Sequence, residues 1–325
     1  MMQDWGGKPY YSLDHYCKNT YGKKLYKIAL DGGFTCPNRD GTLDKRGCIF
    51  CSKGGSGEFA VPLNGTKTRE EMDDAISRGL SLFRSTKRGD AYIGYFQSYT
   101  GTYAPPKRLY ALYSCALSHE KIAGISIATR PDCLGDEVLA VLDRLKKEYP
   151  HKFIWIELGL QTVHEDTAAY IRRGYGLSVF EDAVKYLQER DIPLIVHVIL
   201  GLPGETPEHI LDTIYYVNQF SLFGIKLQLL HILKGTDLAE EYEKGLISVY
   251  SKEEYLSLLS RCIAALNPET VIHRITGDGP KKLLVAPEWS ANKRDVLNSF
   301  HRFCKENGCY QGKDFEKYKR YEASK

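Results

Sequence analysis

Six apolar, β-branched or aromatic runs recur along the chain, at 25–30 (LYKIAL), 91–97 (AYIGYFQ), 124–129 (GISIAT), 153–160 (FIWIELGL), 193–200 (PLIVHVIL) and 224–230 (GIKLQLL). All but the first are followed closely by a helical pattern. Runs this uniformly apolar must be buried on both faces, the condition of parallel strands joined by crossover helices. Local signals agree. Thr68 with Glu71 forms a capping box ahead of a helix whose Met72, Ile76, Leu80 and Phe83 share a face. Val138, Val141, Leu142 and Leu145 define a second helical face, Ser178 with Glu181 a second capping box, and Thr206-Pro207 an N-cap with a first-turn proline. The pattern predicts an α/β fold of six βα units, doubly wound or a partial barrel. Both architectures place the active site at the C-terminal edge of the strands.

That rule sorts the polar residues. Gln97 and Thr100 follow the second run, Thr129, Arg130 and Asp132 the third, and Glu157 and Gln161 lie along and beyond the fourth. His197 to Thr206 (HVILGLPGET) close the fifth, and Gln228, His231 and Lys234 follow the sixth. With 43% hydrophobic and 26% charged residues, the 325-residue chain is neither disordered nor collagen-like. No apolar run approaches the roughly 18 residues of a membrane span, and MMQDWGGKPYYSLDHY lacks a secretory h-region. A cytoplasmic location is expected. The net charge is only +3, but residues 271–325 carry 12 Lys and Arg against 7 Asp and Glu, which leaves −2 for residues 1–270. A basic terminal segment fits an anionic partner or a solvated helix face.

Nine cysteines in a reducing compartment argue against a disulfide framework and for metal or redox chemistry where they cluster. One tight cluster exists, Cys36, Cys48 and Cys51, spaced C-x11-C-x2-C directly after the first run. Scattered at random, nine cysteines would give about 0.25 C-x-x-C pairs, so the spacing needs its context. Structural zinc normally takes four ligands, and no fourth Cys or His lies close in sequence. A [4Fe–4S] cluster held at three irons leaves the fourth open to a chelating small molecule. The surrounding glycines (Gly32, Gly33, Gly41, Gly47, Gly54, Gly55, Gly57) let backbone wrap closely and aim N–H groups at sulfide. Both metals stay open on spacing alone.

A three-cysteine loop after the first strand, with aromatic Phe50 just before the last cysteine and a βα array behind it, resembles the radical S-adenosylmethionine (radical SAM) superfamily. GFTCPNRDGT (33–42), GCIFCSKGGSGEF (47–59), YFQSYTGTYAP (95–105) and TRPDCL (129–134) resemble its YtqA/YhcC-type family over nearly the whole chain. That family is related to the Elongator catalytic subunit and the oxygen-independent coproporphyrinogen oxidases. The superfamily's commonest loop is C-x3-C-x2-C, and the longer first gap here resembles the Elongator-like branch. The resemblance implies a partial (β/α)6 barrel of parallel strands over residues 1–235 and a C-terminal α+β extension over 236–325. It implies that Cys36, Cys48 and Cys51 bind a [4Fe–4S] cluster and that Phe50 lies near the adenine of S-adenosylmethionine. Gln97 and Thr100 stand where the superfamily's second-strand motif holds the methionine amino group, although the usual Gly-Gly-Glu is absent. Glu157 is a candidate for the ribose hydroxyls, Gly201 to Gly204 for a turn against adenine, and His197 and His231 for the same rim.

The implied chemistry is hydrogen abstraction by a 5′-deoxyadenosyl radical, which needs no general base, and no catalytic side chain is assigned. No Ser-His-Asp arrangement, P-loop or dinucleotide fingerprint is present. For substrate the resemblance points to tRNA, specifically conversion of a wobble-uridine carboxymethylaminomethyl group toward aminomethyl. A reductant such as flavodoxin or ferredoxin and a downstream tRNA methyltransferase are the implied partners, with no membrane. Lys281, Lys282, Lys293, Arg294, Arg302 and Lys305 suit phosphate contact, and 23 tyrosines offer stacking for a splayed base. Two other functions stay open: a radical SAM enzyme acting on a porphyrin-like small molecule, and a zinc-binding RNA adaptor. In the extension, Ser251 with Glu254 caps a helix bearing Leu256, Leu259 and Ile263, VIHRIT (271–276) forms a strand, and a further helix follows. Cys304 and Cys309, at C-x4-C, read as ordinary cysteines, with hydrogen donation, a redox pair or a second metal site as the alternatives.

Overall fold

The computed structural model describes residues 5–55, 57–63, 69–83, 89–277 and 279–317. Its elements run α1 (Leu13–Tyr21), β1 (Tyr26–Asp31), β2 (Val61–Pro62), α2 (Arg69–Ser81), β3 (Tyr92–Phe96), α3 (Pro106–Ser118), β4 (Ile122–Thr129), α4 (Asp136–Glu148), β5 (Phe153–Gln161), α5 (Glu165–Tyr170), α6 (Leu177–Gln188), β6 (Leu194–Leu200), α7 (Pro207–Val217), β7 (Gly224–Leu229), β8 (Ile232–Leu233), α8 (Asp237–Glu243), α9 (Lys252–Ala265), β9 (Val271–Arg274), β10 (Leu284–Ala286) and α10 (Lys293–Glu306). The six apolar runs are β1 and β3 to β7, and the α/β class expected from their alternation holds. The chain divides into two compact units, one of Tyr21–Gly159 with Gly174–Leu194, the other of Met1–Thr20, Leu160–Arg173 and Ile195–Lys325.

In the first unit the strands lie in the order β2-β1-β3-β4-β5, all parallel. All five residues of β3 are buried, as a strand covered on both sides requires. Helix α2 packs on β1 through Met72, Ala75, Ile76 and Gly79, not through Leu80 and Phe83 as the spacing predicts. Gly79 sets the rotation: a Cβ there would lie 2.4 Å from Ile28 Cγ2, so only glycine lets helix and strand approach this closely. Leu80 is thereby turned partly outward, and Phe83, past the helix end, stacks on Tyr92 at 5.9 Å. Thr68, the expected cap of this helix, lies outside the described residues. Helix α4 buries Leu139 beside Val141, Leu142 and Leu145, while Val138 is only half-buried. The Ser178 and Glu181 capping box does not form. Helix α6 begins at Leu177 with Gly176 as its N-cap, which places Ser178 inside the first turn, where it cannot serve as the cap.

In the second unit β6, β7 and β9 are parallel neighbours, and β8 pairs antiparallel with β10. The 271–276 segment is the strand expected, extending beside β7 from Val271 to Arg274. Both remaining caps are as read: Thr206 accepts from the His209 amide with Pro207 in the first turn, and Ser251 and Glu254 form a reciprocal box at α9. Each is worth about 1 kcal/mol. Leu256, Leu259 and Ile263 are all buried. Gln311, 1% exposed, donates to the Asn267 and Thr270 carbonyls at 2.7 and 2.8 Å and accepts from the Tyr11 amide at 2.8 Å, tying three segments with one amide. No helix among the described residues is long and apolar enough to cross a membrane.

Candidate functional site

The cysteine loop follows β1, at the C-terminal edge of the first unit's strands. Its eleven-residue spacer closes on itself. The Arg39 and Asp40 amides donate to the Cys36 carbonyl at 2.8 and 3.1 Å, Leu43 to Pro37 at 2.8 Å, and Gly47 to Asn38 at 2.7 Å. The spacer therefore acts as a folded stem that returns Cys48 toward Cys36, and a turn from the Cys51 amide to the Cys48 carbonyl (3.0 Å) completes the set. A long gap in sequence is a short one in space. The loop after β3 braces it: the Thr100 amide donates to the Thr35 carbonyl at 3.2 Å, and the Tyr99 amide and hydroxyl donate to the Gly55 and Lys53 carbonyls at 2.9 and 2.5 Å.

The three sulfurs feel one another and two guanidinium groups. Burial, then the neighbouring Cys51 sulfur, pushes the Cys48 thiol up to about 12, against the pull of the Asn38 amide (Nδ2 to Sγ 3.5 Å) and Arg130. Burial likewise raises Cys51, opposed by the charge and hydrogen bond of Arg39. Arg39 Nη2 also donates to the Cys51 and Ser52 carbonyls, both at 2.7 Å. Arg130 grips Asp132 bidentately at 2.9 and 2.7 Å and lies 4.8 Å over the Tyr175 ring. Thiolates bound to a metal carry charge into a buried place, and two fixed cations supply the opposite sign there. Among the described residues no three His, Cys, Asp or Glu side chains converge as ligands of one ion would. An iron–sulfur cluster does not ask for that convergence, because each thiolate reaches a different iron. Donor type, half-buried setting and compensating charge fit such a cluster.

Phe50 and Gln97 are half-buried, Phe50 between the two later cysteines, and Thr100 is 1% exposed. Glu157 lies elsewhere, four residues before the end of β5. It is fully buried, with Oε1 held by Lys27 Nζ at 2.8 Å and Ser126 Oγ at 2.5 Å. Beside the loop runs an open groove of about 660 Å³ lined by Pro37, Leu43, Thr102, Tyr103, Asp132 and Cys133 among others. The second unit holds the remaining expected residues. His197 is mid-strand in β6 and half-buried. Gly201 and Gly204 both have positive φ, 92° and 83°, so the turn after β6 requires glycine for its backbone; a Cβ at Gly204 would meet nothing within 4 Å. After that turn Glu205 accepts from Thr162, and burial raises its pKa. His231 follows β7, with its ring close against Gly277 and Gly279.

Sequence reasoning missed Arg39 and Lys27. Lys27 carried a signal nonetheless: it is the lone charge in LYKIAL, as Glu157 is in FIWIELGL, and opposite charges isolated in two apolar strands invite pairing.

A model described as the radical SAM superfamily matches residues 44–217, and one described as the Radical_SAM C-terminal domain matches 223–306. Cys48 and Cys51 fall inside the first match, and Cys36 precedes it. The chain is 40% identical to YtqA of Bacillus subtilis over 310 residues, 95% of this chain and 94% of that protein. It is 34% identical to YhcC of Escherichia coli K12 over 288 residues, 89% and 90% of the two chains. Elongator complex protein 3 of Schizosaccharomyces pombe is 28% identical over 182 residues, 55% of this chain and 32% of that one. Among solved structures, an Elongator protein 3 from Methanocaldococcus infernus lacking its N-terminus superposes with TM-score 0.61 at 15% identity, covering 88% of this chain and 64% of that one.

Proposed function

The chain belongs to the radical SAM superfamily, whose enzymes use a [4Fe–4S] cluster and S-adenosylmethionine, and from that premise we propose that it modifies the C5 side chain of a wobble uridine in tRNA, taking carboxymethylaminomethyl toward aminomethyl. The observation that carries the reading is the 28% identity to Elongator complex protein 3 over 182 residues, 55% of the chain. Cys36, Cys48 and Cys51 hold the cluster, with Arg39 and Arg130 offsetting its charge. Phe50, Gln97 and Thr100 serve S-adenosylmethionine. Together the two cofactors supply a 5′-deoxyadenosyl radical able to take hydrogen from an unactivated carbon. The protein binds, orients and shields the reacting carbon from water. The glycyl methylene loses a hydrogen atom to the radical, then one electron and a proton, the electron passing to the oxidised form of the flavodoxin or ferredoxin. Hydrolysis of the resulting imine releases the two-carbon acid as glyoxylate and leaves the aminomethyl group. Exposed Lys281, Lys282, Arg294, Arg302 and Lys305 support tRNA phosphate contact in the second unit. A flavodoxin or ferredoxin serves as reductant.

The test is anaerobic reconstitution with dithionite and S-adenosylmethionine, with and without tRNA, scored by 5′-deoxyadenosine. Stimulation by tRNA is expected, with deuterium from a labelled methylene appearing in the product. Equal product without RNA would send the search to small molecules, and zinc without iron or sulfide would end the radical reading.

A further inference from the structure

Lys27, half-buried on β1, pairs with the fully buried Glu157 on β5. On β1, Ile28 and Leu30 are buried toward the helices, Ile28 directly under α2. Alternation therefore turns Lys27, Ala29 and Asp31 to the opposite face. On β3, Phe96 meets Tyr113 of α3 at 4.9 Å, which leaves Tyr95 on that opposite face. The register sets Ala29 against Tyr95, Tyr95 against Ser126, and Ala128 against Glu157, so Lys27, Tyr95, Ser126 and Glu157 form a staggered polar row on one face of four neighbouring strands. In it Lys27 Nζ bonds Glu157 Oε1 at 2.8 Å and sits 4.4 Å over the Tyr95 ring, while Ser126 Oγ holds the same carboxylate oxygen at 2.5 Å.

Two features argue that the row meets a ligand. A buried ion pair is poor evidence of stabilisation, because desolvation offsets its attraction; such pairs are often kept for function. Further, the next residues toward the C-terminal edge on this face are Ala29, Ala128 and Gly159, which give up volume over the pair, and the Lys27 side chain stays 20% exposed where Glu157 is sealed. An ammonium has three protons, and one carboxylate oxygen and one ring face leave capacity for another acceptor.

We propose that Lys27 forms the recognition floor for a substrate carboxylate, its ammonium taking that carboxylate while Glu157 holds the lysine in place. Ser126 and Tyr95 position the pair. This rests on the substrate reading above, in which the carboxymethylaminomethyl side chain ends in such a carboxylate.

The test uses the reconstituted enzyme with synthetic anticodon stem-loops bearing either the carboxymethylaminomethyl acid or its methyl ester, scored as kcat/KM from released nucleoside. The wild type should prefer the acid by about tenfold or more, the scale of one hydrogen bond between charged groups. Lys27→Met should bring the ratio near one with unchanged iron content, and Lys27→Arg should restore part of it. The double variant Lys27→Met with Glu157→Gln strands no buried charge, so it answers the same question if the single variant misfolds. An unchanged ratio in Lys27→Met or the double variant, or a wild-type ratio of one, overturns the assignment and leaves the substrate reading standing. A wild type that turns over neither RNA overturns both.

Discussion

Two groups of cysteines, one in each unit, have opposite surroundings. Cys36, Cys48 and Cys51 lie in a loop whose backbone hydrogen bonds are spent within the spacer, with Arg39 and Arg130 acting on their sulfurs. Cys304, 2% exposed in α10, and Cys309, just beyond it, share a hydrogen bond with each other. That bond raises the Cys304 thiol and lowers Cys309. The first group has an amide and two cations facing its sulfurs; the second bonds within itself. Closeness in sequence therefore says little about cysteine chemistry. What faces the sulfurs decides it.

The sharpest way to break this contrast is to alter one member of each group. Cys48→Ala should cut cluster iron and 5′-deoxyadenosine by at least about 100-fold, since losing even a residue that supports a ligand costs 10–100-fold. Cys304→Ala should keep both. Iron and sulfide assay of the two proteins, reconstituted side by side, decides the matter. Equal iron in both would dissolve the distinction between the groups.

Arg39 tests whether compensating charge matters beyond the ligands themselves. Arg39→Ala removes the donor to the Cys51 and Ser52 carbonyls and the cation beside the Cys51 sulfur, so cluster retention should fall about tenfold on dilution. Arg39→Lys keeps a charge but not the fork, and should fall between. Absorbance of the cluster during gel filtration reads both.

The strands were legible because each is a near-continuous apolar run, and the caps at Thr206 and Ser251 because both partners sit at fixed offsets. The Ser178 and Glu181 pair has the same offsets and fails, because the chain leaves the Gly174 turn, φ 81°, and enters the helix two residues early, with Gly176 as its N-cap. The three loop cysteines could be named from sequence, but not the folded stem between them, whose bonds are backbone to backbone and carry no side-chain signature. Lys27 and Glu157 stand 130 residues apart, and their meeting depends on which strands become neighbours, which periodicity alone does not encode.

A third comparison is of stability. Cys304 is a small buried side chain against Val296 and Phe300 on the same helix face, and Cys304→Ala should lower urea stability by about 1–2 kcal/mol. Cys309→Ala, at a half-buried position, should cost less. Equal losses would mean that the shared hydrogen bond, rather than burial, carries the energy.

The smallest effect is also the most specific to the pair. The Cys304 hydrogen bond, with help from Lys313, holds the Cys309 thiol below its ordinary range against the opposing effect of burial, whereas Cys304 is pushed well above its own. A thiol with a lowered pKa becomes thiolate at lower pH, and thiolate is the form that iodoacetamide attacks. Carbamidomethylation of Cys309, followed by peptide mass, should therefore begin at a pH below that of an ordinary exposed cysteine, with Cys304 unmodified throughout. Removing the donor in Cys304→Ala should move the Cys309 profile upward in pH and slow its labelling near pH 7.5. An unmoved profile would assign the lowering to Lys313 and leave the two thiols as neighbours without a bond.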